Sequence, residues 1–224
     1  MTTGAYPLLL LLHVLVFVYW LGSDLAVLYA AKYGSDKTLA FETRKTISEI
    51  MAFVDLFPRL SVPLIGATGI TMGALSGALH FSGFWVWVTW LAALVWILAN
   101  LYVFINRSNP DRVRNVVRFD TFWRATLAVV IAGAATASFL GAGITASVSL
   151  AAKLLLYATA IALSLVLRIL FRPYRPALSR IATGGDNAAE SAIMEKALDR
   201  ARPVVLSIWA LTIAAAAIGL WKPY

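Results

Sequence analysis

Cysteine is absent from the 224-residue chain. Its absence excludes disulfide bonds, thiolate nucleophiles, iron–sulfur clusters and cysteine-ligated zinc. Charged residues are scarce, because Asp, Glu, Lys and Arg make up 13% of the chain, against about 25% in soluble globular domains. The sequence also lacks a Ser-His-Asp context and a glycine-rich phosphate loop, which argues against hydrolase and P-loop chemistry.

Long apolar runs dominate what is present. Hydrophobic residues make up 61% of the chain, and the mean hydropathy is +0.80. Each of six runs reaches about 20 residues, enough to cross roughly 30 Å of hydrocarbon. The pattern predicts an all-α integral membrane protein with six transmembrane helices, at about 7–31, 53–79, 84–105, 121–142, 149–171 and 203–221. We expect residues 1–224 to form a single polytopic transmembrane domain.

The basic residues predict the orientation of the chain in the membrane. Seventeen of the nineteen Lys and Arg residues fall in, or at the span ends facing, the loops after the first, third and fifth spans. Only Lys153 and Lys222 fall on the opposite side. The positive-inside rule then places the three basic loops in the cytoplasm and both termini outside. The basic charge therefore reflects topology rather than binding of nucleic acid. Within these loops, residues 36–52 and 187–201 are predicted to form helices at the membrane surface.

A short motif occurs twice. Asp55 to Arg59 reads DLFPR and Asp120 to Arg124 reads DTFWR. Each opens a span that leaves the basic side, and a run of small residues follows each. The repeat predicts two tandem helical hairpins, spans 2–3 and 4–5, flanked by spans 1 and 6; chance similarity is the alternative. Residues four apart share a helix face, so we expect Asp55–Arg59 and Asp120–Arg124 to form structural ion pairs.

Small residues recur every four positions after each motif. Gly69, Gly73 and Gly77 follow the first, and Gly133, Ala137 and Gly141 follow the second. This spacing favours close packing of helices in lipid. Room for a flat cofactor is the second interpretation.

Four ionisable residues within or at the ends of the apolar runs are candidate functional residues: His13, Asp24, His80 and Lys153. Such residues are costly in lipid and usually face the interior of the bundle. At about 1.5 Å per residue, His13 and Lys153 lie at similar depths in the half of the membrane away from the basic loops, and His80 ends a span on that side. The sequence predicts a polar or cofactor site there. Hydrogen bonding for His13 and snorkelling for Lys153 are the structural alternatives.

Asp24 lies in the other half of the first span. His13, Trp20 and Asp24 share one helix face because they are spaced by seven and four residues. We expect Asp24 to neutralise one of three arginines, Arg59, Arg124 or Arg168. A role in proton relay is the alternative.

The segment HVLVFVYWLGSDLAVLY, with His13, Trp20 and Gly22 in an H-x6-W-x-G pattern, resembles the opening helix of HemJ-type protoporphyrinogen oxidases and of CopD-like membrane proteins. Lys153 in LAAKLLLY resembles a lysine that begins a later helix of the HemJ type. The resemblance implies a multi-pass protein of a bacterial inner membrane, with b-type haem as cofactor and with His13 and Lys153 tied to activity. His13 would be the metal ligand. The resemblance extends to His13 and Lys153 only; apart from it, we expect His80 and Trp20 to be the other cofactor contacts.

Three functions follow as hypotheses. In the first, the protein binds haem and is redox-active, oxidising a porphyrinogen or passing electrons to quinone. In the second, it is a small transporter that couples a proton or metal through Asp24 or Lys153. In the third, it is a non-catalytic subunit that packs against membrane partners or its own copies.

Overall fold

A computed structural model describes residues 4–80 and 83–221. The described residues form eight helices and no strand. The helices are α1 (Ala5–Ser35), α2 (Phe41–Val54), α3 (Leu56–Leu75), α4 (Gly83–Ile105), α5 (Pro110–Phe139), α6 (Val148–Phe171), α7 (Tyr174–Ala182) and α8 (Asn187–Trp221). Lys222, one of the two basic residues predicted opposite the basic loops, lies outside the described residues.

Six helical segments are long and apolar enough to span a membrane, as the sequence predicts. The spanning helices form a closed ring, because each packs against its neighbours in the order α1, α3, α4, α5, α6, α8 and back to α1. The predicted hairpins are therefore neighbouring pairs in this ring, α3 with α4 and α5 with α6. We call the side of the ring that carries the loops after α1, α4 and α6 the basic side, and the opposite side the far side.

An apolar cluster fills the centre of the ring. Each of the six spanning helices contributes at least one buried member: Trp20, Val62, Trp96, Ala128, Ala160, Ile161 and Ile208. Apolar side chains elsewhere on these helices are exposed, including Leu8, Trp87, Val129 and Leu220. Exposed apolar surface of this extent is what contact with lipid chains requires, because in water it would cost about 25 cal/mol per Å².

A layer of helices covers the ring on its basic side. α2, α7 and the start of α8 pack beneath α1 around a second apolar cluster that includes Met51, Tyr174 and Met194. The buried Arg44 ties the layer together, because its guanidinium donates to the Gly34 carbonyl oxygen at 2.9 Å and to Asn187 Oδ1 at 2.7 Å.

Two predicted boundaries differ from the structure. Residues 187–201 are helical, but they form one continuous 35-residue helix with the last span instead of a separate surface helix. Pro203 lies inside α8 and does not end it. A proline forfeits one backbone hydrogen bond, and here the packing of α8 on α6 and α7 maintains the helix. The other predicted surface helix, residues 36–52, corresponds to α2, which begins at Phe41 and ends at Val54.

Candidate functional site

The far half of the ring holds His13 against α3. His13 Nδ1 lies 2.8 Å from Thr68 Oγ1, and Thr68 is fully buried. The imidazole edge also packs on Gly69, where an added Cβ would lie 3.3 Å from His13 Cε1. Gly69 therefore provides the space in which the imidazole ring reaches Thr68.

Lys153 enters the same half from α6. Its Nζ extends to α8, where a Cβ added to Gly219 would lie 2.6 Å away. Lys153 is half-buried and within electrostatic reach of His13. The two residues that the sequence places at similar depth thus lie in the same half of the ring as Thr68.

His80 lies apart from this centre. Its backbone N–H donates to the Ile144 carbonyl oxygen at 2.8 Å, in the loop that joins α5 to α6, and its side chain is exposed. α3 continues for seven residues from Thr68 to its end at Leu75, about 10 Å along the helix axis, and the chain then turns back so that the Leu79 N–H donates to the Gly73 carbonyl oxygen. His80 follows at the exposed far end of the ring, and its role as a cofactor contact stays a prediction.

The small residues of α3 pack against α6. A Cβ on Gly66 would lie 2.5 Å from the hydroxyl of Tyr157, which itself donates to the Val62 carbonyl oxygen at 2.8 Å. A Cβ on Gly73 would lie 2.7 Å from Leu79 and 3.7 Å from Leu150. These contacts lie on both sides of Thr68 along α3. Gly66 therefore serves close packing of α3 on α6, and Gly73 leaves room for Leu79 beside Leu150.

The basic half of the ring holds a network of charged side chains centred on Asp120. Arg124 Nε lies 3.1 Å from the Asp120 carboxylate, and Arg168 pairs with the same carboxylate from α6. Arg124 also donates to Asn100 Oδ1 at 3.0 Å and to Ser164 Oγ at 3.5 Å. Its guanidinium lies 5.2 Å from the ring of Trp96. A buried arginine with this many partners locks α4, α5 and α6 together.

Asp24 lies within electrostatic reach of Arg59, one of its three predicted partners. Among the described residues, however, no direct ion pair joins Asp24 to Arg59, Arg124 or Arg168. Arg59 pairs with Asp55, and the other two pair with Asp120. Asp24 instead faces the indoles of Trp20 and Trp209.

Trp20 contributes to the central apolar cluster and lines the basic-side cavity described next. It therefore lies on the basic side of His13. Its role as a cofactor contact stays a prediction.

A cavity of about 290 Å³ opens in this half. It lies between the central apolar cluster and the helical layer, and every spanning helix contributes to its wall. Its charged lining residues are Asp24, Asp55, Arg59, Arg107, Arg124, Arg168 and Arg175. A second cavity of about 350 Å³ lies among the far-side loops, where His80, Ser138 and Thr145 line it.

Sequence reasoning missed three residues that complete these centres. Thr68, Asn100 and Ser164 are polar residues within apolar spans, and each bonds a candidate residue on another helix. A search restricted to ionisable residues does not include them, although a polar residue in an apolar span is itself a signal.

Comparison with known proteins gave no matching family model, no matching curated protein and no matching solved structure. Function is therefore inferred from the geometry of the two centres.

Proposed function

We propose that this membrane protein is redox-active, with the far-side centre of His13, Thr68 and Lys153 as its functional site and with a b-type haem bound through His13. The proposed reaction is oxidation of a porphyrinogen or electron transfer to quinone. The single observation that carries the proposal is the hydrogen bond between His13 and Thr68.

This hydrogen bond sets the tautomer of the neutral imidazole. Thr68 Oγ1 lies 2.8 Å from the Leu64 carbonyl oxygen, and a carbonyl can only accept, so the single hydroxyl proton goes there. We infer that Thr68 Oγ1 then accepts from His13, with the imidazole proton on Nδ1. Nε2 is left with its lone pair. A histidine that donates from one ring nitrogen while the other is free to coordinate is the usual arrangement of a metal-ligating histidine.

His13 thus fits the role of an axial ligand, and Lys153 is the neighbouring side chain that can supply a second donor or a positive charge. Haem would supply reversible one-electron chemistry at this site. A haem at this centre would be held by His13 on α1 and contacted by Lys153 from α6. The likeness to HemJ-type and CopD-like proteins supports the haem proposal, and it stays a prediction.

The absorption spectrum of the purified protein tests this proposal. We expect a Soret band in the oxidised protein and α and β bands after dithionite reduction. His13→Ala should abolish the bands, because it removes the axial ligand. His80→Ala is the matched control, since it removes the other histidine of the chain from an exposed position, and it should leave the spectrum unchanged.

A folded protein that stays colourless after loading with haem would overturn the proposal. The same holds for bands that survive in His13→Ala. The functional centre would then be assigned to one of the other predicted classes, a small proton-coupled or metal transporter or a subunit of a larger membrane assembly. Uptake into vesicles and co-purifying partners distinguish those two.

A further inference from the structure

The cavity on the basic side has no part in the haem proposal, and its charges are unevenly matched. Five arginines line it. Only three carboxylates either line it or pair with its arginines: Asp24, Asp55 and Asp120. By formal charge, the cavity carries an excess of two positive charges. The positive-inside rule accounts for arginines on this side of a membrane, but it does not account for their position around one cavity.

Two of the five arginines are already engaged. Arg124 and Arg168 share the carboxylate of Asp120, and the remaining donors of Arg124 go to Asn100 and Ser164. Arg168 also donates to Thr121 Oγ1 at 2.8 Å. These two side chains form the fixed wall of the cavity.

The other three arginines, Arg59, Arg107 and Arg175, form what we call the arginine mouth. They come from three different segments: α3, the turn after α4, and the start of α7. Arg107 lies 4.3 Å from the ring of Phe104 and donates to the Phe104 carbonyl oxygen. Arg175 lies within electrostatic reach of both other arginines and of Asp55, which pairs with Arg59.

Three guanidinium groups held near one another around one carboxylate repel each other unless an anion joins them. Each guanidinium presents a planar fork of donors that matches the oxygens of a phosphate group. A phosphate monoester near neutral pH carries a charge between about −1.5 and −2, close to the excess in the cavity. A volume of about 290 Å³ is at the lower end of the range for ligand pockets, which suits a small ligand or a headgroup.

We propose that the arginine mouth binds a phosphate group through Arg107 and Arg175, which form no ion pair within the described part of the chain, and with Arg59 as the third cation. The phosphate belongs either to a small soluble anion or to an anionic lipid headgroup. Both sources share the same chemistry at the site.

Titration calorimetry on the full chain tests the proposal. The protein is kept in maltoside detergent, which contributes no phosphate. One arm titrates inorganic phosphate and the other titrates dioctanoyl phosphatidic acid. Arg107→Gln and Arg175→Gln should each weaken binding about tenfold, because each removes a charge-assisted hydrogen-bond donor. Raising the salt concentration should also weaken binding, because ions screen charges that are open to solvent.

Arg200→Gln is the matched control. It removes the same charge from the same side of the molecule, at an exposed position on α8 outside the cavity. Phosphate binding that falls in the two mouth variants and not in the control supports the proposal with a soluble ligand. If instead only phosphatidic acid binds, and its binding falls in the two mouth variants and not in the control, the result supports the proposal with a lipid headgroup as the ligand. Binding in neither arm, or an equal loss in the control, overturns it. The haem spectrum is independent of all these outcomes.

Discussion

The two D-x-F-x-R motifs have the same local geometry and different surroundings. In both, Asp and Arg four residues apart form an ion pair at the basic end of a spanning helix. In the first copy the Asp55 and Arg59 side chains remain 31% and 41% exposed. In the second copy the Asp120 and Arg124 side chains are 3% and 7% exposed.

The difference arises from residues outside the motif. Asp120 receives a second arginine, Arg168 from α6, and Arg124 receives Asn100 from α4. Asp55 faces the cavity and has Asp24 within electrostatic reach instead. The second copy links three helices through Asp120 and Arg124, whereas the first copy lines a cavity. An internal repeat therefore predicts the ion pair within each motif, but not the role of that ion pair in the fold.

Asp120→Asn should produce the largest effect. It leaves Arg124 buried and removes the carboxylate that Arg124 and Arg168 share. Breaking a buried pair by removing one partner costs about 3–5 kcal/mol, because an uncompensated charge stays in the interior. Unfolding of the detergent-solubilised protein by heat or by SDS measures the loss. Unchanged stability would show that the lock contributes nothing to the fold.

The small-residue runs that follow the two motifs give a second contrast. Gly66→Ala should destabilise the protein by about 1–3 kcal/mol, because its Cβ would clash with the ring of Tyr157, whose hydroxyl is bonded to α3. Gly133→Ala is the matched control on α5, where an added Cβ meets no atom within 4 Å. Replacing glycine within a helix should there stabilise by about 0.5–1 kcal/mol.

The same unfolding assay reads both variants, and helix content by circular dichroism verifies that each is folded. Equal effects in the two variants would contradict the difference in packing between Gly66 and Gly133. A gain in both would mean that the contact between Gly66 and Tyr157 can relax without cost.

The sequence predicts the fold more completely than the site. Apolar runs of spanning length are a property of the chain itself, so the six spans follow from composition. Depth along a helix is also local, which is why His13 and Lys153 could be expected in the same half. The partner of Asp24 could not be predicted, since three arginines lie at suitable depth and only the order of helices around the ring assigns them to Asp55 and Asp120. The contacts of Thr68 with His13 and of Asn100 with Arg124 depend on the same tertiary arrangement, so they could not be predicted from the sequence either.

The smallest effect should come from Asp55→Asn. This substitution removes the partner of Arg59, but both side chains reach solvent in the cavity mouth, where an exposed ion pair contributes about 1 kcal/mol or less. It also removes the repulsion between Asp55 and Asp24. The two changes oppose each other, so we expect stability within about 1 kcal/mol of the parent protein in the assay used for Asp120→Asn. A loss as large as that of Asp120→Asn would mean that the first copy is a buried lock as well. The Asp55 and Arg59 side chains would then be as buried in the folded protein as those of Asp120 and Arg124, and the cavity would be closed on its basic side.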